Sequence, residues 1–112
     1  MERRFNEDVY SFVLQALLYA VIRRIIEAED LSVPKQVSSK ELAHAVRELA
    51  LEEFGLLART VLNYWGIKST LDIGEVVREL IDLGIMQVGP DDHIAEDFDN
   101  IYDFETAFEY TM

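Results

Sequence analysis

Apolar residues recur at intervals of three and four along the first quarter of the chain, which is the spacing of one face of an α-helix. The predicted helix begins at Glu7 and ends at about Glu29. One apolar face comprises Tyr10, Val13, Leu14, Leu17, Leu18, Val21, Ile22 and Ile25. The opposite side is also apolar, at Phe12, Ala16, Tyr19 and Ala20. A helix that is apolar nearly all round is buried in a core or lies against a partner subunit.

The middle of the chain predicts three more helices. Ser38 and Glu41 have the spacing of a capping box, which predicts a helix over about Ser39–Phe54. A short helix follows over residues 56–64, and a longer one begins at the second S-x-x-D sequence, Ser69 to Asp72, and stops at Gly84. Gly55 either caps the second helix in the left-handed conformation or kinks one longer helix, and the sequence leaves both open.

The stretch after Gly84 predicts a small β hairpin. Residues 85–88 resemble a short strand, residues 89–92 a turn and residues 93–95 a return strand. Helix, short helix, helix and hairpin is the element order of winged-helix domains. The predicted fold class is therefore mainly α, a single compact domain of four to five helices with a small late β hairpin, winged-helix-like in order. Its parts are a flexible start (1–6), the apolar helix (7–29), a helical core (38–85), the hairpin (86–96) and an acidic, aromatic C-terminal segment (97–112).

Charge and composition narrow the classes of partner. The chain has 22 acidic and 10 basic residues, a net charge of −12, which disfavours nucleic acid and anionic membranes. The apolar run from Val9 to Ile22 has 14 residues, fewer than the roughly 20 that a membrane span needs. There is no cysteine, so disulfides, thiol nucleophiles and cysteine-ligated metals are excluded. We expect a cytoplasmic protein that does not bind membranes.

Catalytic and metal-binding patterns are sparse. His44 shares a predicted helix face with Glu41 and Glu48, which would suit a metal site or an acid–base pair, but a solvated charged face is the favoured interpretation. The acidic run from Asp91 to Asp99 lacks the spacing of a calcium loop. No nucleophile, dinucleotide or phosphate-loop motif occurs. We predict no catalytic residue, no metal site and no cofactor.

Aromatic residues are the candidates for an interaction surface, because aromatic side chains anchor both cores and protein interfaces. Asp103 is predicted to cap a last short helix, and the segment around it is expected to dock on the core. The candidate interaction residues are Tyr64, Trp65, Tyr102, Phe104 and Phe108.

One longer pattern carries a resemblance. The residues FG-LLA-x-x-VL-x-x-WGI-x-x-T-x-D-x-GE-x-V, from Phe54 to Val77, resemble a family of small uncharacterised bacterial proteins. The closing residues 97–98, 102–104 and 107–108 are similar to that family's D-F…Y-D-F-x-x-A-F ending. The family has no assigned activity, cofactor or catalytic residue, so the resemblance implies a family and no function.

Three hypotheses of function follow. The first is a non-enzymatic protein-interaction module that binds a protein partner or forms a homodimer, through the first helix or the aromatic C-terminal segment. The second is a winged-helix-like regulator that binds nucleic acid, which needs a basic stripe from Arg47, Arg59 and Lys68. The third is a carboxylate or metal-dependent enzyme, which needs His44 or His93 to meet acids in a cleft.

Overall fold

The computed structural model describes residues 7–30, 37–85 and 97–108, and all regular structure in these ranges is helical. The elements are α1 (Glu7–Ala28), α2 (Ser39–Phe54), a single 3₁₀ turn (Gly55–Leu57), α3 (Ala58–Tyr64), α4 (Thr70–Asp82) and a short α5 (Phe104–Ala107). The prediction of a mainly helical chain is confirmed.

The prediction of a late β hairpin is wrong, and so is the winged-helix-like order of elements that includes it. The described residues contain no β-strand, and the hairpin predicted over residues 86–96 lies outside them. Ile85, predicted to open the first strand, instead belongs to the end of α4, where its N–H donates to the carbonyl of Leu80 at 2.9 Å. A four-residue apolar pattern does not distinguish a strand from a helix-ending turn.

Helices α1 and α2 pack side by side and run antiparallel. Near the start of α1, the ring of Phe12 stacks on that of Phe54 at the end of α2, with centroids 5.9 Å apart. Near the end of α1, Arg24 pairs with Glu41 in the first turn of α2. Helix α4 packs against both, and the hydroxyl of Tyr10 donates a hydrogen bond to the carboxylate of Glu79.

The sequence left both apolar sides of α1 as candidates for burial, and the structure buries one of them. The core of α1 consists of Val9, Phe12, Val13 and Ala16. Of the larger of the two predicted apolar sides, Val13 alone is fully buried. Because α1 is apolar on both sides, its own pattern does not determine which side meets α2. In the structure, Phe12 and Ala16 face inward. The ring of Phe12 contacts the rings of Phe54 and Trp65.

The helix ends follow the predicted capping chemistry in part. The hydroxyl of Ser38 accepts from the N–H of Glu41 at 3.1 Å, and the Glu41 carboxylate accepts from the N–H of Ser38 at 3.4 Å, so the predicted capping box is confirmed. Ser69 makes no such side-chain bond at the start of α4. Instead the carboxylate of Asp72 accepts from the N–H of Lys68, at 2.9 Å.

Gly66 ends α3 in a Schellman motif. Its φ of +99° allows the N–H of the next residue, Ile67, to donate to the carbonyl of Leu62 at 2.8 Å. The same bonding pattern ends α4 at Gly84 and α1 at Glu29, which has a φ of +54°. Between α2 and α3, Gly55 adopts a φ of +53° and begins the 3₁₀ turn, so two separate helices form rather than one kinked helix.

The C-terminal segment docks on the helices, as predicted. Phe98, Phe104 and Phe108 are buried in the common core. The N–H of Ile101 donates to the hydroxyl of Thr70 at 3.1 Å. The carboxylate of Asp103 caps α5 by accepting from the N–H of Glu105 at 3.2 Å, which confirms its predicted role. The segment thus joins α2 and α4 and completes the core.

Candidate functional site

A large apolar surface lies on the side of α1 that faces away from α2. Leu18, Ile22 and Ile26, spaced by four residues, are 59%, 45% and 66% exposed. Leu14, Val21 and Ile25 lie beside them and are half-buried, Leu14 in part against the core. We call these six residues the outward face of α1. Leu18 is two residues, about 200° of helix rotation, from the buried Ala16, so the outward face and the core are on opposite sides of the helix.

Polar contacts hold the second half of α1 against α2. The fully buried stripe of α1 stops at Ala16, and Tyr19 and Ala20 beyond it are half-buried against the core. Beyond it, Arg23 pairs with Glu48, and Arg24 pairs with Glu41. The arginines therefore occupy the side of the helix towards α2, and Ile22 and Ile26 are left exposed on the other side.

The outward face of α1 is uncharged, although the protein as a whole is acidic. Its six residues extend over about 18 Å of helix, and none of them is ionisable. Glu7 and Asp8 precede this strip and Glu29 follows it, all three exposed. In a folded protein, a contiguous apolar surface of this kind marks a site of interaction.

The five predicted interaction residues have different environments. Tyr64 is 80% exposed on α3. Trp65 is half-buried, its ring 5.4 Å from that of Phe12 and 5.7 Å from that of Phe54. The other three lie in the docked C-terminal segment, where Phe104 and Phe108 are buried and Tyr102 is half-buried between them and His44. These aromatic residues therefore pack on their own core, with Tyr64 as the exception.

A second apolar surface precedes α3. Leu56 and Leu57 of the 3₁₀ turn are 67% and 62% exposed. This surface is confined to one turn, whereas the outward face of α1 is continuous over more than three. Its two leucines are as exposed as Leu18, so substitutions of them serve as a control for substitutions on α1.

The predicted triad of Glu41, His44 and Glu48 lines one groove. The groove lies between α1 and α2, and its volume is about 400 Å³. Arg24 and Arg23, from the opposite wall, pair with the two carboxylates. Burial favours a higher pKa for the Glu41 carboxyl, but hydrogen bonds from Arg24 and Ser38 outweigh it and hold the pKa below the ordinary 4.5.

Metal and nucleic-acid sites find little support in the described part of the chain. No group of three or more side chains there could hold a metal ion, and His93 lies in the segment that is not described. Of the three bases of the hypothesised stripe, Arg47 donates to the carbonyl of Ala107 at 2.7 Å, while Arg59 and Lys68 are exposed.

The sequence contained a signal for the outward face, namely that α1 is apolar nearly all round. In the structure α1 has 22 residues, and by length and composition it could cross a membrane, although core helices and signal sequences have the same composition. Only 22% of its apolar window is buried. What the sequence did not contain is which side of α1 the rest of the chain covers.

Comparison with protein-family models, with curated proteins and with solved structures finds no match. The resemblance to small uncharacterised bacterial proteins stays a prediction.

Proposed function

We propose that the protein is a non-enzymatic interaction module that binds a polypeptide through the outward face of α1. The observation that carries the proposal is the exposure of Leu18, Ile22 and Ile26 on one helix face. Fully burying an exposed leucine or isoleucine side chain contributes about 1.5–3 kcal/mol. These three are about half exposed, so covering each supplies a part of that amount as a driving force for association. The face has no polar group that would need a partner of its own.

The enzymatic alternative has less support among the described residues. An enzyme of this composition would need carboxylates that are available to a metal ion or to a substrate. Glu41 and Glu48, the acids beside His44, are paired with arginines across the groove. No observation favours a second function over the interaction module.

Paired variants test the proposal. The face variant is Leu18→Gln/Ile22→Gln, and the control is Leu56→Gln/Leu57→Gln, which changes equally exposed leucines outside α1. Both should keep the unfolding free energy of the unmodified monomer, measured with urea, to within about 0.5 kcal/mol, because exposed positions contribute little to folding. Each tagged protein, unmodified or variant, is then incubated with an extract of the source cells, and the proteins that it retains are identified. Untagged copies of the same chain count among them.

We expect the unmodified protein and the control variant to retain the same polypeptide and the face variant to lose it. If the face variant and the unmodified protein retain the same set, the proposal fails. It also fails if the unmodified protein retains nothing, its own chain included.

A further inference from the structure

We propose that the outward face of α1 is covered by a second copy of this chain, with the two α1 helices crossing antiparallel at Ile22 about a two-fold axis. This inference rests on the proposed function and adds the identity of the partner. A two-fold interface places the same surface patch on both subunits, so the patch has to be complementary to itself.

The spacing of the exposed residues meets that condition. Leu14, Leu18, Ile22 and Ile26 form one ridge of residues four apart, and Val21 and Ile25 form part of the next ridge. Two such helices pack when the ridge of each enters the groove of the other, at a crossing angle of about 50°. With Ile22 at the crossing point, Leu18 lies opposite Ile26 of the partner subunit, and the reverse contact follows by symmetry.

Charge restricts where two copies can meet. Each copy has a net charge of −12, so most approaches bring like charges together. The outward face is free of ionisable groups over about 18 Å, which makes it the strip on which two acidic copies can touch with least repulsion.

Charge also favours the antiparallel arrangement. In a parallel pair that crosses at Ile22, each Glu29, about 10 Å along the axis from the crossing, would lie beside its own copy. In the antiparallel crossing, Glu29 of one copy lies opposite Gln15 of the partner subunit, which is uncharged. The two Glu7 residues then lie at opposite ends of the contact, each about 22 Å along the axis from Ile22.

The contact is expected to be reversible. A standard interface buries about 800 Å² on each partner, and three to four turns of one helix supply less than that. The solution mass should therefore rise with protein concentration from 12.9 kDa towards twice that value, and the Leu18→Gln/Ile22→Gln variant should stay at the monomer mass. The Leu56→Gln/Leu57→Gln control should dimerise like the unmodified protein.

Because the chain has no cysteine, single cysteines can be introduced to test the geometry. Ile22→Cys places two thiols at the two-fold axis, within the short distance that a disulfide requires. We expect it to form a disulfide-linked dimer at least ten-fold faster than Leu57→Cys, an exposed control on the 3₁₀ turn. Equal rates for the two variants would overturn the proposed crossing.

The remaining outcomes identify other occupants, and each overturns the inference. A monomer at all concentrations, in which the thiol introduced by Ile22→Cys resists alkylation, would mean that the chain covers its own face. A monomer that floats with phosphatidylcholine vesicles would mean that lipid covers it. A monomer that retains a different protein in the extract experiment, through the same face, would leave the proposed function standing and remove the second copy.

Discussion

The hydroxyl of Tyr102 donates a hydrogen bond to the main-chain carbonyl of Ala43, 2.8 Å away, and so joins the C-terminal segment to the middle of α2. One turn further along α2, the guanidinium of Arg47 donates to the carbonyl of Ala107 at 2.7 Å. These two bonds bracket a cluster of three rings, in which Tyr102 stacks on Phe104 and Phe108 lies edge-on to Tyr102. They explain why an acidic segment is part of the core instead of a solvated tail.

Tyr102→Phe should change how stability depends on alkaline pH. Burial raises the pKa of the Tyr102 phenol well above its ordinary value of 10, with Arg47 opposing the shift more weakly. The stabilisation that the buried, protonated phenol provides is therefore complete below about pH 10. As the pH rises above that value, the free energy of unfolding falls by up to about 1.4 kcal/mol per pH unit. The free energy of unfolding of Tyr102→Phe should be about 1 kcal/mol lower than that of the unmodified protein at neutral pH. Between about pH 10 and pH 12 it should decline less than that of the unmodified protein.

Urea unfolding at a series of pH values measures this effect, and Tyr64→Phe is the control because Tyr64 is 80% exposed. Identical alkaline slopes for the unmodified protein and Tyr102→Phe would contradict the placement of this phenol.

Arg47→Met should loosen the attachment of α5. The substitution keeps much of the apolar stem but removes a charged donor from a part-buried bond, which costs about 1.5–3 kcal/mol. Arg59→Met, on the exposed side of α3, should change the unfolding free energy by less than about 0.5 kcal/mol. Urea midpoints compare the two variants, and equal midpoints would rule out the structural role of Arg47.

Leu62→Ala should be among the most damaging single changes. Leu62 is fully buried, and a leucine-to-alanine change at such a site costs about 2–5 kcal/mol through lost burial and the cavity left behind. Leu56→Ala removes the same atoms from a side chain that is 67% exposed and should cost less than about 1 kcal/mol. Thermal unfolding of the two variants tests the prediction, which fails if their midpoints coincide.

Glu29→Gly should stabilise the protein. Glu29 has a φ of +54° at the end of α1, a conformation that costs a residue with a Cβ roughly 1 kcal/mol and costs glycine little. We expect a gain of about 0.5–1 kcal/mol in the unfolding free energy. Glu27→Gly, two residues earlier and inside α1, should instead lose about 1 kcal/mol. Chemical denaturation of both variants measures the two changes in unfolding free energy. A lower unfolding free energy for both variants would exclude the left-handed conformation at residue 29.

The local chemistry of the helices was predictable from the sequence. Ser38 and Glu41 start α2 with both bonds of the capping box, and Gly66 and Gly84 follow α3 and α4 in the left-handed conformation that glycine favours. These features depend on residues within five positions of one another, so a single sequence contains the information. The absent side-chain cap at Ser69 is the exception, because Asp72 bonds to Lys68 instead.

Longer-range relationships were predictable only in part: the docking of the C-terminal segment was expected, and two others were not. The β hairpin was inferred from a few apolar residues after Gly84, where the pattern was too short to distinguish a strand from the end of α4. The inward side of α1 was left open by the sequence, because a helix that is apolar on both sides gives no preferred orientation.

The sequence by itself determined the helical character of this protein, the positions of its main helices and the chemistry of most helix ends. Those properties arise from periodicity and from contacts between residues close in the chain. The tertiary structure decided that Phe12 and Ala16 of α1 turn inward, that Phe104 and Phe108 are core residues, and that Leu18, Ile22 and Ile26 are left on the surface. Apolar side chains are chemically alike, and only the packing of distant segments determines which of them are covered.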